Sequence, residues 1–108
     1  MTKETIFDKI IRKEIPAKVI YEDDLCLCFL DINPTAKFHA LLVPKNKDNM
    51  DRLYNAEQKN EKVLGHMMVT VAQIAKQNNL GEGYRIVIND GKNGCQTIDH
   101  LHLHIIGG

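Results

Sequence analysis

The 108-residue chain has no tryptophan, only three prolines and no excess charge of either sign. Fourteen lysines and arginines balance fourteen aspartates and glutamates, so the net charge does not draw the protein toward nucleic acid or a membrane surface. The sequence also contains no apolar run near the roughly 18 residues that a membrane-spanning helix requires. We therefore expect neither nucleic acid nor a membrane among the partners of this protein.

Cysteine is also scarce, with Cys26, Cys28 and Cys95 as the only three. An odd number argues against a disulfide framework, and two cysteines as close as Cys26 and Cys28 rarely form a bridge. We interpret all three as reduced thiols. The first residues, MTKETIFDK, hold no apolar signal region. We expect a cytoplasmic protein, and the sequence is equally compatible with a nuclear one.

The length and the 44% hydrophobic content predict a single domain over residues 1–108. Thr5 and Asp8 resemble a helix N-cap with an acidic first turn, and Pro16 limits this helix to about two turns. A longer helix is predicted later in the chain, with Asn55 as a plausible cap and Gly81 at its end. Its apolar stripe consists of Leu64, Met67, Met68, Val71 and Ala75.

Five short runs predict β-strands, because they are rich in β-branched or aliphatic residues and are bounded by turn residues. They are AKVIYE, LCLCFLDI, HALLVPK, YRIVIN and the terminal HLHLHIIGG. Most connections between neighbouring strands have the length of hairpins, which favours an antiparallel sheet. Two helices and about five strands in this arrangement predict an α+β fold.

Three of the five histidines, His100, His102 and His104, alternate with aliphatic residues in the last predicted strand. Successive side chains on a strand point to opposite faces, so the three imidazoles should share one face while the aliphatic side chains enter the core. Two chemistries fit this row. The imidazoles are suitable zinc ligands, and alternatively one imidazole acts as a nucleophile or general base whose neighbours handle protons.

The residues before the histidine row favour a phosphate-containing ligand. The glycine-rich segment at residues 89–94 follows a predicted strand directly, and such turns can direct backbone N–H groups at an anion. Gln96 and Thr97 add side-chain donors just before the first histidine.

Residues 100–106 match the histidine triad motif, His-φ-His-φ-His-φ-φ, in which φ is apolar. The rest of the chain resembles the Hint branch, the histidine triad nucleotide-binding proteins. TIFDKIIRKEIPAKVIYEDD, LDINPTAKFHALLVPK and GYRIVINDG occur in the order and spacing of that branch, so the resemblance covers about residues 5–108. The branch usually continues past the two final glycines to a Trp-Pro-Pro-Gly close, which this sequence lacks.

The resemblance implies a homodimer in which two five-stranded antiparallel sheets, each with one short and one long helix, join into a ten-stranded sheet. It also implies a purine nucleotide-binding hydrolase that cleaves nucleoside phosphoramidates or acyl-nucleotidates, such as adenylated lysine. The reaction of this adenosine 5'-monophosphoramidase type passes through a nucleotidyl-histidine intermediate. The resemblance implies neither a metal nor any other cofactor in catalysis.

The same resemblance assigns four catalytic positions. His102 is the expected nucleophile on the α-phosphorus, and the backbone carbonyl of His100 orients its ring. His104 is expected to contact phosphate oxygens and to help with proton handling, while His39 completes a relay with His100. His66 lies on the long predicted helix, and we expect no catalytic role for it.

The substrate-binding positions follow from the resemblance as well. Asp31 matches a carboxylate that accepts hydrogen bonds from the ribose hydroxyls. Asn89 and Thr97 match phosphate contacts, with threonine in place of a common serine, and Cys95 stands where the branch usually has glycine in the phosphate turn. The apolar walls around the base and ribose match Ile32, Phe29 and Phe7.

Two alternative functions stay open on the sequence alone. One is a nucleotide-binding scaffold or interaction protein with little turnover. The other is a zinc-binding protein that uses the histidine row as ligands.

Overall fold

A computed structural model describes residues 4–108. Its five strands form one sheet in the order β1-β2-β3-β5-β4, and every neighbouring pair is antiparallel. The predicted α+β fold, with one short and one long helix, is confirmed. The first three residues, on which the expectation about a signal region partly depends, lie outside the described residues. The elements are α1 (Ile6–Ile11), β1 (Val19–Glu22), β2 (Cys26–Leu30), β3 (Phe38–Pro44), α2 (Glu61–Gln77), β4 (Tyr84–Val87) and β5 (Leu103–Gly107).

The two helices pack on opposite faces of the sheet. Strand residues that alternate along β2, β3 and β5 contribute to a core beneath α2, and the intervening residues of β2 and β3 contribute to a second core that includes α1. In the register of β3 and β5, His104 lies opposite Leu41, which belongs to the core of α1. His104 therefore lies on the face of the sheet that α1 covers. Among the helices of residues 4–108, none is long and apolar enough to cross a bilayer.

The beginning of α2 differs from the prediction. Asn55 does not cap the long helix, because it ends a separate 3-10 turn, Leu53–Asn55. A second turn, Gln58–Asn60, follows and leads directly into α2 at Glu61. The predicted apolar stripe was also wrong at Met68, which is 51% exposed, whereas Met67 is fully buried. Adjacent helical residues point about 100° apart, so both cannot face the sheet.

The end of α2 also differs, since the helix stops at Gln77 and not beside Gly81. The left-handed residue that ends it is Asn79, with φ of 58°. The amide of Leu80 donates to the carbonyl of Ala75 at 2.9 Å, and the amide of Asn79 donates to the carbonyl of Lys76 at 3.3 Å. These two bonds define a Schellman motif, in which asparagine is the usual alternative to glycine.

Substitutions at Asn79 should distinguish the effect of the left-handed backbone conformation on stability from the effect of losing the side chain. Asn79→Ala should lower the free energy of unfolding by about 1 kcal/mol, because a Cβ is strained in the left-handed region and alanine has no local hydrogen bond to offset it. Asn79→Gly should leave stability unchanged or raise it slightly. Urea unfolding followed by circular dichroism measures both variants. Equal destabilisation by alanine and glycine would contradict the assignment.

Candidate active site

The histidine row begins before β5. Only His104 lies within the strand, while His100 and His102 occupy the extended segment that precedes it. The prediction of one continuous strand for all three is therefore wrong. Pairing between β3 and β5 ends at Leu103, and the amide of Leu101 donates instead to the carbonyl of Met50 at 3.1 Å. The alternation of faces persists, because Leu101 and Leu103 are both buried in the core beneath α2.

The orientation of His102 follows from one short hydrogen bond. Its Nδ1 atom lies 2.7 Å from the backbone carbonyl oxygen of His100. A carbonyl only accepts hydrogen bonds, so Nδ1 carries the proton and the neutral ring presents a lone pair at Nε2. The ring of Phe7 packs edge-on against His102 with a centroid distance of 5.0 Å, which further fixes the imidazole plane.

Burial keeps the row in its neutral form. It lowers the pKa of His102, and the hydrogen bond to the His100 carbonyl and the charge of Asp31 oppose this only in part. Burial also lowers the pKa of His104, and repulsion from a charge on His102 or His39 adds to the effect. Near pH 7 a neutral His102 is therefore favoured, and only the neutral ring has a nucleophilic nitrogen.

His39 forms a second imidazole pair with His104. The backbone amide of Thr35 donates to His39 Nδ1 at 3.1 Å, so the proton of a neutral His39 is on Nε2. That Nε2 atom lies 2.9 Å from His104 Nδ1 and can donate to it. A neutral His104 consequently carries its own proton on Nε2. The two neighbouring rings of the row thus present different groups: a lone pair on His102 and an N–H on His104.

The expected relay between His39 and His100 is wrong. His39 lies opposite Ile106 in the register of β3 and β5, which places it diagonally next to His104. His100 lies four residues before His104, outside the paired region of β5. The His100 ring is instead fully buried, and its Nε2 lies 3.1 Å from the carbonyl oxygen of Pro44. The His100 side chain therefore anchors the segment, and its carbonyl holds His102.

A cavity of about 460 Å³ opens over His102 and His104 between α1 and the sheet. This volume suits a drug-sized or nucleotide-sized ligand. His39 and His100 stand behind the cavity and do not line it. Ile32 is 91% exposed and lies at its rim. The sequence-predicted residues that line the cavity are Phe7, Phe29, Asp31, Ile32, Asn89, Cys95, Thr97, His102 and His104.

Several apolar residues of the cavity wall were not among the predicted site residues. Ile6 and Ile10 come from α1, and their helical spacing with Phe7 was the only sequence signal that would have placed them there. Ile15 and Ile98 line the cavity from loops. No pattern in the sequence singles them out, because their position depends on how the loops fold over the sheet.

The glycine-rich turn does not present its amides as expected. The N–H groups of Gly94 and Gln96 both donate to the carbonyl of Gly91, at 3.1 and 3.0 Å, and that of Cys95 donates to Lys92 at 3.1 Å. The predicted side-chain donor Gln96 is committed too, since its Nε2 donates to backbone carbonyls of Asp51 and Ile98. These bonds close the turn on itself, so they fix its shape and leave fewer amides for an anion than the sequence indicated.

Cys95 occupies the turn in an unusual backbone conformation. Its φ is 65° and its ψ is 31°, in the left-handed region that favours glycine. Its side chain is exposed and lines the cavity. Asn89 supports the turn from the other side, because its Nδ2 donates to the carbonyl of Gly94 at 2.9 Å. The turn therefore holds Cys95 in a conformation that glycine adopts more easily than a residue with a Cβ.

The histidine row itself does not converge as a set of zinc ligands. Within residues 4–108, the group at this site whose ligand atoms lie within 4.8 Å of one another consists of Asp31, His39 and His104. His100 and His102 each commit one ring nitrogen to a backbone carbonyl. A metal here would thus use one histidine of the row and two residues outside it. His66 lies on α2, away from the cavity.

Comparison with known proteins places this geometry in a family. A HIT domain family model matches residues 12–108. A relative from Arabidopsis thaliana named "Adenylylsulfatase HINT1" is 52% identical over 104 residues, which cover 96% of this chain and 71% of the relative. A "14 kDa zinc-binding protein" from Zea mays is 51% identical over 104 residues, covering 96% of this chain and 81% of that protein.

A solved structure agrees with these relatives. The HIT family hydrolase from Legionella pneumophila Philadelphia 1 superposes with a TM-score of 0.92 at 35% identity, over 97% of this chain and 93% of that one. The chain belongs to the histidine triad family, whose members share the HIT domain. The Arabidopsis relative places it on the Hint branch, and the names of the relatives support a hydrolase.

The lowered histidine pKa values predict how stability depends on pH. An unfolded histidine has a pKa of about 6.5, whereas burial places the folded pKa of His100, His102 and His104 below the ordinary value. Between the two values the unfolded chain binds more protons, so the free energy of unfolding falls as the pH drops from 7.5 to 5.5.

Urea unfolding at several pH values in this range measures the effect. His102→Asn removes one of the titrating rings and should make the dependence shallower. An unchanged dependence in this variant, or greater stability at pH 5.5 than at 7.5, would contradict the assignment of neutral buried rings.

Proposed function

We propose that this protein is a purine nucleoside phosphoramidase, which hydrolyses nucleoside phosphoramidates or acyl-nucleotidates through a nucleotidyl-histidine intermediate. One observation carries the proposal: the hydrogen bond from His102 Nδ1 to the His100 carbonyl leaves a neutral Nε2 lone pair in a cavity of nucleotide size. Neither a metal nor a cofactor has a step in the reaction.

The reaction divides into two displacements at phosphorus. In the first, His102 Nε2 forms a bond to the α-phosphorus while the bond from phosphorus to the amine nitrogen breaks. The departing amine takes its proton from solvent, while the His104 Nε2–H group donates a hydrogen bond to the phosphate oxygens and stabilises the charge that develops on them. In the second, water attacks the phosphorus and the bond to His102 breaks. The proton that water loses passes to solvent, and the nucleoside monophosphate leaves.

The remaining lining residues are suited to hold a nucleoside. The Oδ1 atom of Asp31 accepts a hydrogen bond from the Asn33 amide at 2.8 Å, which orients the carboxylate and leaves acceptor positions for ribose hydroxyls. Phe29 and Ile32 offer apolar surface for the base, and a base seated there would cover the exposed Ile32 side chain. Asn89 and Thr97 line the same cavity, and we assign them to the phosphate group.

The leaving group is the less constrained half of the substrate. The Arabidopsis relative is named for adenylyl sulfate, in which sulfate replaces an amine on the same phosphorus. A nucleophile that forms a bond to the nucleotidyl phosphorus serves both classes, because the covalent intermediate is identical once the leaving group departs. This supports a nucleotidyl hydrolase that acts on P–N bonds and mixed anhydrides.

Replacing the nucleophile tests the function. His102→Ala should reduce kcat on an adenosine phosphoramidate by at least about 10³-fold, since the proposed covalent route runs through His102 Nε2. Adenosine monophosphate should still bind, as measured by isothermal titration calorimetry. Rapid acid quenching should trap an adenylated protein in the wild type and none in the variant.

The matched control is His66→Gln, which removes a histidine outside the cavity and should keep kcat within about twofold of wild type. Near-normal turnover by His102→Ala would overturn the proposal. Wild-type protein that binds nucleotide but shows no turnover would point to the scaffold alternative.

We also infer a homodimer in which β4 pairs with its counterpart in a second copy, which would extend the sheet to ten strands. β4 is an edge strand, so one side of its backbone is unpaired within this chain. Tyr84 and Ile86 project from the same face of that edge, and each is 37% exposed. An edge with apolar side chains is a template for strand addition, and a two-fold axis satisfies both copies at once.

A charge on this edge should disrupt the dimer. Ile86→Lys should shift the protein from dimer to monomer in sedimentation velocity, because lysine opposes edge-to-edge pairing. Val19→Lys is the matched control, since Val19 is 36% exposed on β1, the opposite edge strand. A dimer that survives Ile86→Lys and dissociates with Val19→Lys would place the interface on β1.

A further inference from the structure

A second cluster of chemically reactive side chains lies on the opposite face of the sheet from the nucleotide cavity. It consists of Asp23 in the turn between β1 and β2, Cys26 at the start of β2, and His66 on α2. His66 Nε2 lies 2.6 Å from Asp23 Oδ2, and Cys26 Sγ lies 3.5 Å from Asp23 Oδ1. The ligand atoms of all three residues lie within 4.8 Å of one another.

These distances are close to what a tetrahedral zinc ion requires, although the two contacts of Asp23 use different carboxylate oxygens. Zinc binds sulfur at about 2.3 Å and nitrogen or oxygen at about 2.0–2.2 Å, so two ligand atoms of one ion are roughly 3.3–3.7 Å apart. The sulfur–oxygen separation already falls in this range. The shorter contact between His66 and Asp23 is a hydrogen bond, and it needs to open by less than about 1 Å when a metal replaces the shared proton.

The surrounding hydrogen bonds hold the ligands in place. The Tyr21 hydroxyl donates to Asp23 Oδ2 at 2.8 Å, and the amides of Leu25 and Cys26 donate to Oδ1 at 2.8 and 2.9 Å. Burial alone would raise the pKa of Asp23, but these donors and His66 more than offset it and hold the pKa well below its usual range. Asp23 is therefore a fixed carboxylate, and outer contacts of this kind are what orient metal ligands.

Cys26 makes the cluster selective for a thiophilic ion. Its side chain is fully buried, and burial together with Asp23 raises the pKa of the thiol to about 12, so the metal-free form is protonated. A bound zinc ion displaces that proton to solvent as the zinc–sulfur bond forms. A hard ion such as magnesium prefers oxygen ligands and gains nothing from a thiol.

We propose that Asp23, Cys26 and His66 form a zinc site that is separate from the nucleotide cavity. His66 and Asp23 are partly exposed, so a water molecule can supply the fourth ligand. The ion would link the β1–β2 turn to α2. Without metal, the Asp23–His66 hydrogen bond joins these two elements. The other group of suitable ligand atoms within residues 4–108, Asp31 with His39 and His104, offers no thiol.

Cobalt(II) provides the probe, because a thiolate ligand gives a sulfur-to-cobalt charge-transfer band in the near ultraviolet. The full chain is first freed of metal with a chelator and then titrated with cobalt(II) and afterwards with zinc. We expect one cobalt per chain with the thiolate band, and stoichiometric loss of the band as zinc replaces cobalt. Cys26→Ser should abolish the band, and His66→Gln should weaken metal binding by about 10-fold or more.

Two further variants separate the possible sites. Cys28→Ser, which changes the neighbouring buried thiol, and His104→Gln, which removes the other group, should both keep the band. His66→Gln decides the matter if Cys26→Ser does not fold, since His66 is partly exposed and circular dichroism checks its fold. A wild-type chain without the band, a band unaffected by His66→Gln, or a band lost with His104→Gln would each overturn the proposal. None of these readouts depends on hydrolase activity, so failure of the proposed reaction leaves this test intact.

Discussion

The hydrogen bond between the ring of His102 and the backbone carbonyl of His100 is the constraint on which the candidate active site depends. At 2.7 Å it selects one tautomer and leaves the lone pair on Nε2. Without it, a neutral imidazole would exchange its proton between two nitrogens and rotate about χ2. A charged carboxylate in this position would hold the ring equally well and would also raise its pKa. The neutral carbonyl orients the ring and raises its pKa less than a carboxylate would, so more of the ring stays in the neutral, nucleophilic form.

The rest of the fold fixes that carbonyl. The His100 ring reaches the Pro44 carbonyl at the end of β3, and the next amide, that of Leu101, bonds to Met50. Leu101 and Leu103 are buried beneath α2 and prevent the segment from rotating. The end of regular strand pairing at Leu103 is part of this arrangement. If the pairing continued, the backbone groups before Leu103 would form hydrogen bonds with β3. The segment is held by side chains and single hydrogen bonds, and its groups thus remain directed at the cavity.

Local patterns in the sequence were sufficient for some features and not for others. Alternation predicted which side of the final segment carries the histidines, because that periodicity is a property of any extended chain. The partner of His39 depends on the register between residues 65 positions apart, which no local pattern encodes. The directions of the amides in the glycine-rich turn could not be predicted from a local pattern either, because they depend on which hydrogen bonds close the turn. The composition of the segment shows only that a turn exists. Asn79 could replace glycine at the end of α2 for a related reason, since the left-handed conformation and not the residue type ends the helix.

The two faces of the sheet provide opposite electrostatic environments: one favours neutral imidazoles, and the other stabilises a charged carboxylate. On the face of α1, burial lowers the pKa values of His100, His102 and His104, and the groups that contact their rings include backbone carbonyls and the ring of His39, with the carboxylates of Asp31 and Asp8 nearby. On the face of α2, four donors stabilise the charge of Asp23 beside a thiol that burial keeps protonated. A nucleophile needs the first environment, because protonation would remove its lone pair. A zinc ion needs the second, because a fixed negative charge compensates the ion while it displaces a proton from sulfur. The sheet separates the two environments, and each lies beside its own apolar core.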